Sequence, residues 1–213
     1  MKVEIWIDFV CPFCYLGEIK FEKALAEFEH KEDVELVFRS FQLHMSGVHT
    51  KDKDIHQVVA EKYHISYAQA KANNARIAEA GNEAGLHYDF DRVKLNTSEL
   101  AHQIMQYAKR FQKEGTLIKR YFKAYFEEGM DIGDETALLQ IAEEVGLNVP
   151  PLKRELERGT LKKGLQEDEA AARRLGINSI PYFIIDGEYA VSGAQDEQYF
   201  LTALKKAYAK KQS

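Results

Sequence analysis

The chain has 213 residues, with 34 acidic against 29 basic side chains and a formal charge of −5. That length supports a large core without disulfide or metal staples. Charges of both signs are dispersed, with no basic stripe to favour nucleic acid; no run reaches the roughly 18 apolar residues of a membrane span; and two cysteines allow at most one disulfide.

The first residues, Met1-Lys2-Val3-Glu4-Ile5-Trp6-Ile7-Asp8, interrupt their apolar run with Glu4 and Asp8 and carry one basic residue, unlike a secretory signal. With this as the native start, the expected compartment is the cytoplasm, where free thiols are the resting state. Val3 to Phe9 reads as a strand and runs into Cys11-Pro12-Phe13-Cys14. Beyond it, Cys14, Gly17, Phe21, Ala24, Leu25 and Phe28 fall on one helical stripe, which turns Cys14 toward the core and leaves Cys11 at the helix mouth.

Val34 to Phe41 predicts a second strand. From about residue 54 to 158 the pattern is helix after helix, without a repeat period or a low-complexity linker. Ser66 with Gln69 fits a capping box and Gly85 a C-terminal stop. Asn96 or Thr97 is the expected cap of the segment carrying Leu100, Ile104, Ala108 and Phe111. Pro150-Pro151, after Gly146, opens another helix. A helix over Leu161 to Leu175 stops at Gly176. Tyr182 to Ile185 and Glu188 to Val191 predict an antiparallel hairpin on a two-residue Asp186-Gly187 turn, because Asp-Gly tolerates positive φ. Gln195 to Ala209 closes the chain as a helix.

This order predicts an α/β protein with a thioredoxin fold, βαβ followed by ββα, carrying a large all-helical insertion. Residues 1–50 with 160–213 are the expected thioredoxin-like domain, and 51–159 the inserted helical domain.

Two sulfurs at i and i+3 on a first helical turn can close or open a disulfide, so the pair can carry two electrons. The thiolate is the attacking species, and unpaired N–H groups with the positive end of the helix dipole favour it at Cys11. Pro12 suits the first helical position, and Phe13 adds apolar surface without charge. Cys14, one turn in, is the expected resolving thiol. In Ser179-Ile180-Pro181, a proline at a strand start can hold a cis bond and leave the Ile180 backbone open to an extended substrate beside Cys11. Pro12, Phe13, Ser179 and Ile180 are thus the expected substrate-binding residues. The competing reading of the cysteines is half of a zinc site, for which His44 and His49 are the conceivable further ligands. Asp8 reads as a polar residue at a strand end, with a proton relay as the alternative, and His102 as a packed or capping histidine.

The chain resembles the DsbA-like oxidoreductases of the thioredoxin superfamily, particularly the FrnE-like branch. The resemblance spans essentially its whole length. It is carried by Asp8 through Gly17, Ser40 through Leu43, Asn96-Thr97 with Ala101-His102, Gly176-Ile177 through Pro181, and Ser192 through Gln195. It implies that Cys11 and Cys14 are the redox pair, that Pro181 is the cis-proline facing them, and that no metal or organic cofactor is held. The sequence departs from exported DsbA proteins in its start and in Phe13, where they often carry histidine. The expected function is therefore cytosolic thiol-disulfide exchange on proteins, peptides or small thiols, with nucleic acid and membranes excluded as partners. The alternative is a glutathione-dependent transferase or isomerase of the kappa or hydroxychromene-carboxylate type, with glutathione as co-substrate. Those relatives typically place serine where Cys11 stands. A peptide-binding or chaperone-like module is the third reading.

Overall fold

Val3, Ile5, Trp6 and Ile7 are all buried, so both faces of the first strand are covered and β1 (Lys2–Ile7) is an inner strand. The computed structural model of the protein describes residues 1–43 and 53–211. The sheet runs β2-β1-β3-β4, with β2 (Glu35–Ser40), β3 (Tyr182–Ile185) and β4 (Tyr189–Ser192). β1 and β2 are parallel, Ile5 standing opposite Phe38, and α1 (Pro12–Glu27) makes the crossover that parallel strands need. β3 is antiparallel to both β1 and β4.

Alternation along β1 assigns its two faces to different helices. Phe183 lies opposite Ile5 and meets Phe21 of α1 and Phe200 of α9 (Glu197–Lys211), with ring centroids 5.3 and 4.7 Å away. Trp6 points the other way, and its Nε1 donates to the Asp168 carbonyl of α8 (Lys162–Arg174) at 3.4 Å. Arg39 fastens the same face. Its Nη1 donates to Asp168 Oδ1 at 3.0 Å and its Nη2 to Glu4 Oε1 at 2.6 Å, while the Ser40 N–H reaches Asp168 Oδ2 at 3.0 Å. Burial alone would raise the Glu4 carboxyl; hydrogen bonds from Arg39 and Lys2 outweigh it and hold the group below the usual carboxylate range.

The hairpin differs from expectation by one residue. Asp186 and Gly187 both take positive φ, 53° and 75°, and the Glu188 N–H donates to the Ile185 carbonyl at 3.2 Å, as in a tight hairpin turn. Ile185 nevertheless pairs with Tyr189, so Glu188 stays outside the ladder and β4 begins one residue late.

Residue contacts divide the chain into two compact units, Met1–Phe41 with Leu165–Ser213, and Gln42–Gly164. The seams at 41/42 and 164/165 follow hydrogen bonding: the Phe41 N–H still donates to the Ile7 carbonyl at 3.0 Å, and Asp168 ties α8 to β2. The first unit has the βαβ and ββα order of a thioredoxin fold. The second is helical: α2 (Ile55–Tyr63), α3 (Tyr67–Ala84), α4 (Glu99–Lys109), α5 (Glu114–Phe126), α6 (Glu135–Glu144) and α7 (Val149–Glu157), with one isolated parallel bridge between Lys94 and Asp131. Capping boxes start α2 at Asp54 and α3 at Ser66, and Gly85 ends α3 in the left-handed conformation. The cap of α4 is Ser98 instead of Asn96 or Thr97. Thr97 contributes through its hydroxyl, which accepts from the Glu99 N–H at 3.3 Å, while Asn96 donates to Asp131 at 3.0 Å. Phe111 falls past the end of α4 and is exposed. Tyr121, Tyr125 and Phe126 are core residues, and the Tyr121 hydroxyl donates to the Leu138 carbonyl at 3.0 Å.

Candidate active site

After β1 the chain turns sharply. The Cys11 N–H donates to the Asp8 carbonyl at 3.1 Å and the Val10 N–H to Asp8 Oδ1 at 3.4 Å, so Cys11 becomes the capping residue of α1 with Pro12 just behind it. Pro12 loses no ladder bond there. The Cys14 N–H donates to the Cys11 carbonyl at 3.0 Å, closing the first turn. The two sulfurs thus belong to one helical start, where the first main-chain N–H groups have no intrahelical acceptor. Both cysteines are free thiols. Their exposures differ: Cys11 is 5% exposed, Cys14 0%, and Phe13 between them 45%.

The end of the hairpin supplies the second wall. The Ile180–Pro181 bond is cis, and the Cys11 thiol lies 3.9 Å from the Ile180 carbonyl oxygen. The Pro181 carbonyl accepts from the Gly193 N–H at 2.8 Å, and Gln195 Nε2 donates to the Ser192 carbonyl at 2.8 Å. Ser192 through Gln195 therefore braces the proline loop. The Ser179 hydroxyl lies 3.3 Å from the Ser192 hydroxyl and so joins the proline loop to this brace. Cys11, Pro12, Phe13, Cys14, Ile180 and Pro181 come together.

The interior below Cys11 holds ionisable groups. Burial pushes the Cys14 thiol well above its usual range, and the adjacent Cys11 sulfur adds to this, while a hydrogen bond from the Asp8 backbone N–H works the other way. Asp8 is 0% exposed, so the strand-end residue faces inward, and its main chain serves both cysteines. Glu18, one turn beyond Cys14 on α1, is 1% exposed. The sequence reading passed over it, although an i+4 step from Cys14 places it on the same face. His102 is buried within α4 of the helical unit.

Gly17 has a steric role that its place on the apolar stripe did not announce. A methyl group there would lie 2.9 Å from Pro181 Cγ and 3.4 Å from the Ala194 Cα. Only a residue without a side chain lets α1 approach the proline loop this closely. Gly17→Val is expected to cost about 2 kcal/mol in urea unfolding, within the usual penalty for overpacking. It should also slow the reaction of Cys11 with a small disulfide, because α1 and the loop must separate. An unchanged midpoint together with an unchanged thiol rate would refute the contact.

Among the described residues no group of three or more His, Cys, Asp or Glu side chains is placed to hold a metal ion. His44 and His49, the conceivable completing ligands, lie outside the described residues. No helix among the described residues is long and apolar enough to cross a membrane.

Known proteins resemble the chain over nearly its whole length. The uncharacterised protein YwbO of Bacillus subtilis strain 168 is 28% identical over 213 residues, covering 99% of each chain. Among solved structures, a probable DsbA oxidoreductase of Streptomyces coelicolor is 31% identical with a TM-score of 0.91, over 98% of this chain and 90% of that one. A 2-hydroxychromene-2-carboxylate isomerase shares the fold at 14% identity and a TM-score of 0.72, over 100% of this chain and 98% of that one. The model of the DSBA-like thioredoxin domain matches residues 2–205, and with the paired thiols and the proline loop in place, the chain belongs to that family.

Proposed function

We propose that the protein is a cytosolic thiol-disulfide oxidoreductase of the FrnE-like branch, acting on proteins, peptides or small thiols through Cys11 and Cys14 with no bound metal or organic cofactor. The observation that carries the reading is the pairing of a barely exposed Cys11 with a fully buried Cys14 on one helical turn, the Cys11 sulfur 3.9 Å from the carbonyl oxygen of Ile180 just before Pro181. As a thiolate, Cys11 attacks a substrate disulfide, forming a mixed disulfide and expelling one thiolate, which takes up a proton. Cys14 then gives up its proton and attacks Cys11 Sγ. The second substrate thiol leaves, and two electrons have passed from the protein to the substrate. The reverse sequence oxidises a substrate dithiol.

A transferase or isomerase using glutathione needs one polar group at position 11 and has no task for a second thiol at 14. Reduction of insulin by dithiothreitol, followed as turbidity, tests the reading. Wild-type protein should shorten the lag and Cys11→Ser should return it to the uncatalysed background, whereas equal rates for the two would rule out exchange through Cys11.

A further inference from the structure

We propose that the Phe13 ring selects the substrate, so that the protein exchanges disulfides of peptides with an aromatic or aliphatic residue beside the cysteine in preference to glutathione disulfide. The inference rests on the exchange reading above and names the substrate class of the same site.

Phe13, 45% exposed between two cysteines that are 5% and 0% exposed, is the most accessible apolar surface of the motif. Burying it against an apolar neighbour is favourable, and burying it against a carboxylate without a cation is not. The rest of the rim in this unit continues its character. Val10, Pro12, Ser179, Ile180 and Gln195 carry no charge. The Gln195 amide is already donating to Ser192, and the Ser179 hydroxyl is engaged with the same residue. The first cation along α1 is Lys20, nine residues from Cys11 or about 13 Å at the helical rise, and its half-buried ammonium faces Asp196 at 3.8 Å. Glutathione brings two carboxylates and an ammonium to within a residue of its sulfur, and the five residues just named offer them no charged partner. A peptide cysteine brings main chain and one flanking side chain, and Phe13 stands where that side chain lands.

The step itself is unchanged: the Cys11–S bond forms as the substrate S–S bond breaks, and Cys14 closes the protein disulfide as the second thiol departs with a proton.

The test measures second-order oxidation of the reduced protein by four symmetrical disulfides: N-acetyl-Phe-Cys amide, N-acetyl-Glu-Cys amide, glutathione and hydroxyethyl disulfide. Each rate is divided by that disulfide's rate with dithiothreitol, which removes intrinsic leaving-group differences. The Phe peptide is expected to exceed both the Glu peptide and glutathione disulfide by about tenfold, the worth of partly burying one aromatic ring. Phe13→Ala should bring these ratios toward one, and Phe13→Tyr should keep them, which separates lost selectivity from a lost fold. Wild-type ratios near one, or ratios that survive Phe13→Ala, would overturn the proposal. Failure to react with all four, hydroxyethyl disulfide included, would overturn the exchange reading and this inference with it.

Discussion

Replacing Cys14 by serine is expected to abolish turnover while sparing the first attack, so that the variant accumulates joined through Cys11 to its substrate. The expectation follows from the geometry of the first turn of α1. Cys11 caps the helix and keeps its N–H bond to the Asp8 carbonyl whatever occupies position 14, because the bonds that hold it are main-chain. Position 14 is 0% exposed, and its N–H is tied to the Cys11 carbonyl, so the sulfur that resolves the mixed disulfide is supplied from within the helix. Serine keeps the shape but has no sulfur to attack with. It also buries a hydroxyl at a cost of about 1–3 kcal/mol, which a full-length fold tolerates and which circular dichroism will show. Cys14→Ala avoids the hydroxyl and should trap equally well. Non-reducing mass spectrometry of the variant mixed with a peptide disulfide should find one adduct per chain at Cys11, with turbidity in the insulin assay at background. Undiminished turnover by either variant would mean that a thiol from solution resolves the adduct, and Cys14 would lose its assigned role.

The same turn shows what local sequence can and cannot announce. Cys11-Pro12-Phe13-Cys14 was legible because capping, proline placement and the helical stripe all act within a few residues, and so were the Ser66–Gln69 box and the Asp186-Gly187 turn. Strand ends were read too long at Phe9 and Phe41: Phe9 is buried although β1 ends at Ile7, and Phe41 keeps one bond to the Ile7 carbonyl although β2 ends at Ser40, so the apolar pattern does not mark where regular pairing stops. The Arg39 network was invisible for a different reason: Glu4 and Asp168 lie 35 and 129 residues from Arg39, and nothing local distinguishes them from solvated charges. Gly17 and Glu18 fall between these cases. Both sit on the stripe that Cys14 defines, but the steric need for Gly17 and the burial of Glu18 show only once Pro181 and the buried α1 face are in place.

In the proposed exchange, the burial of Cys14 should make its resolving step steeply dependent on pH. Only the thiolate attacks, and below the thiol's pKa its fraction grows about tenfold for each pH unit. Burial, the largest cause of the raised Cys14 pKa, persists once Cys11 is joined to a substrate; the part owed to charge on Cys11 does not, because a mixed disulfide is neutral. The pKa is therefore still raised in the intermediate, and resolution should climb with a slope near +1 in log rate against pH, about a thousandfold between pH 6 and pH 9. A wild-type protein loaded at Cys11 with a chromogenic thiol at acid pH, then jumped to a series of higher values, reports the step directly as release of that thiol. Attack by Cys11 on the free disulfide, measured separately on Cys14→Ala, provides the comparison profile for the first step. A flat resolution profile below pH 8 would show that Cys14 hands its proton to an internal acceptor before it attacks. The buried carboxylates of Asp8 and Glu18 would then be the groups to replace by their amides, with recovery of the slope as the sign that the acceptor had been removed.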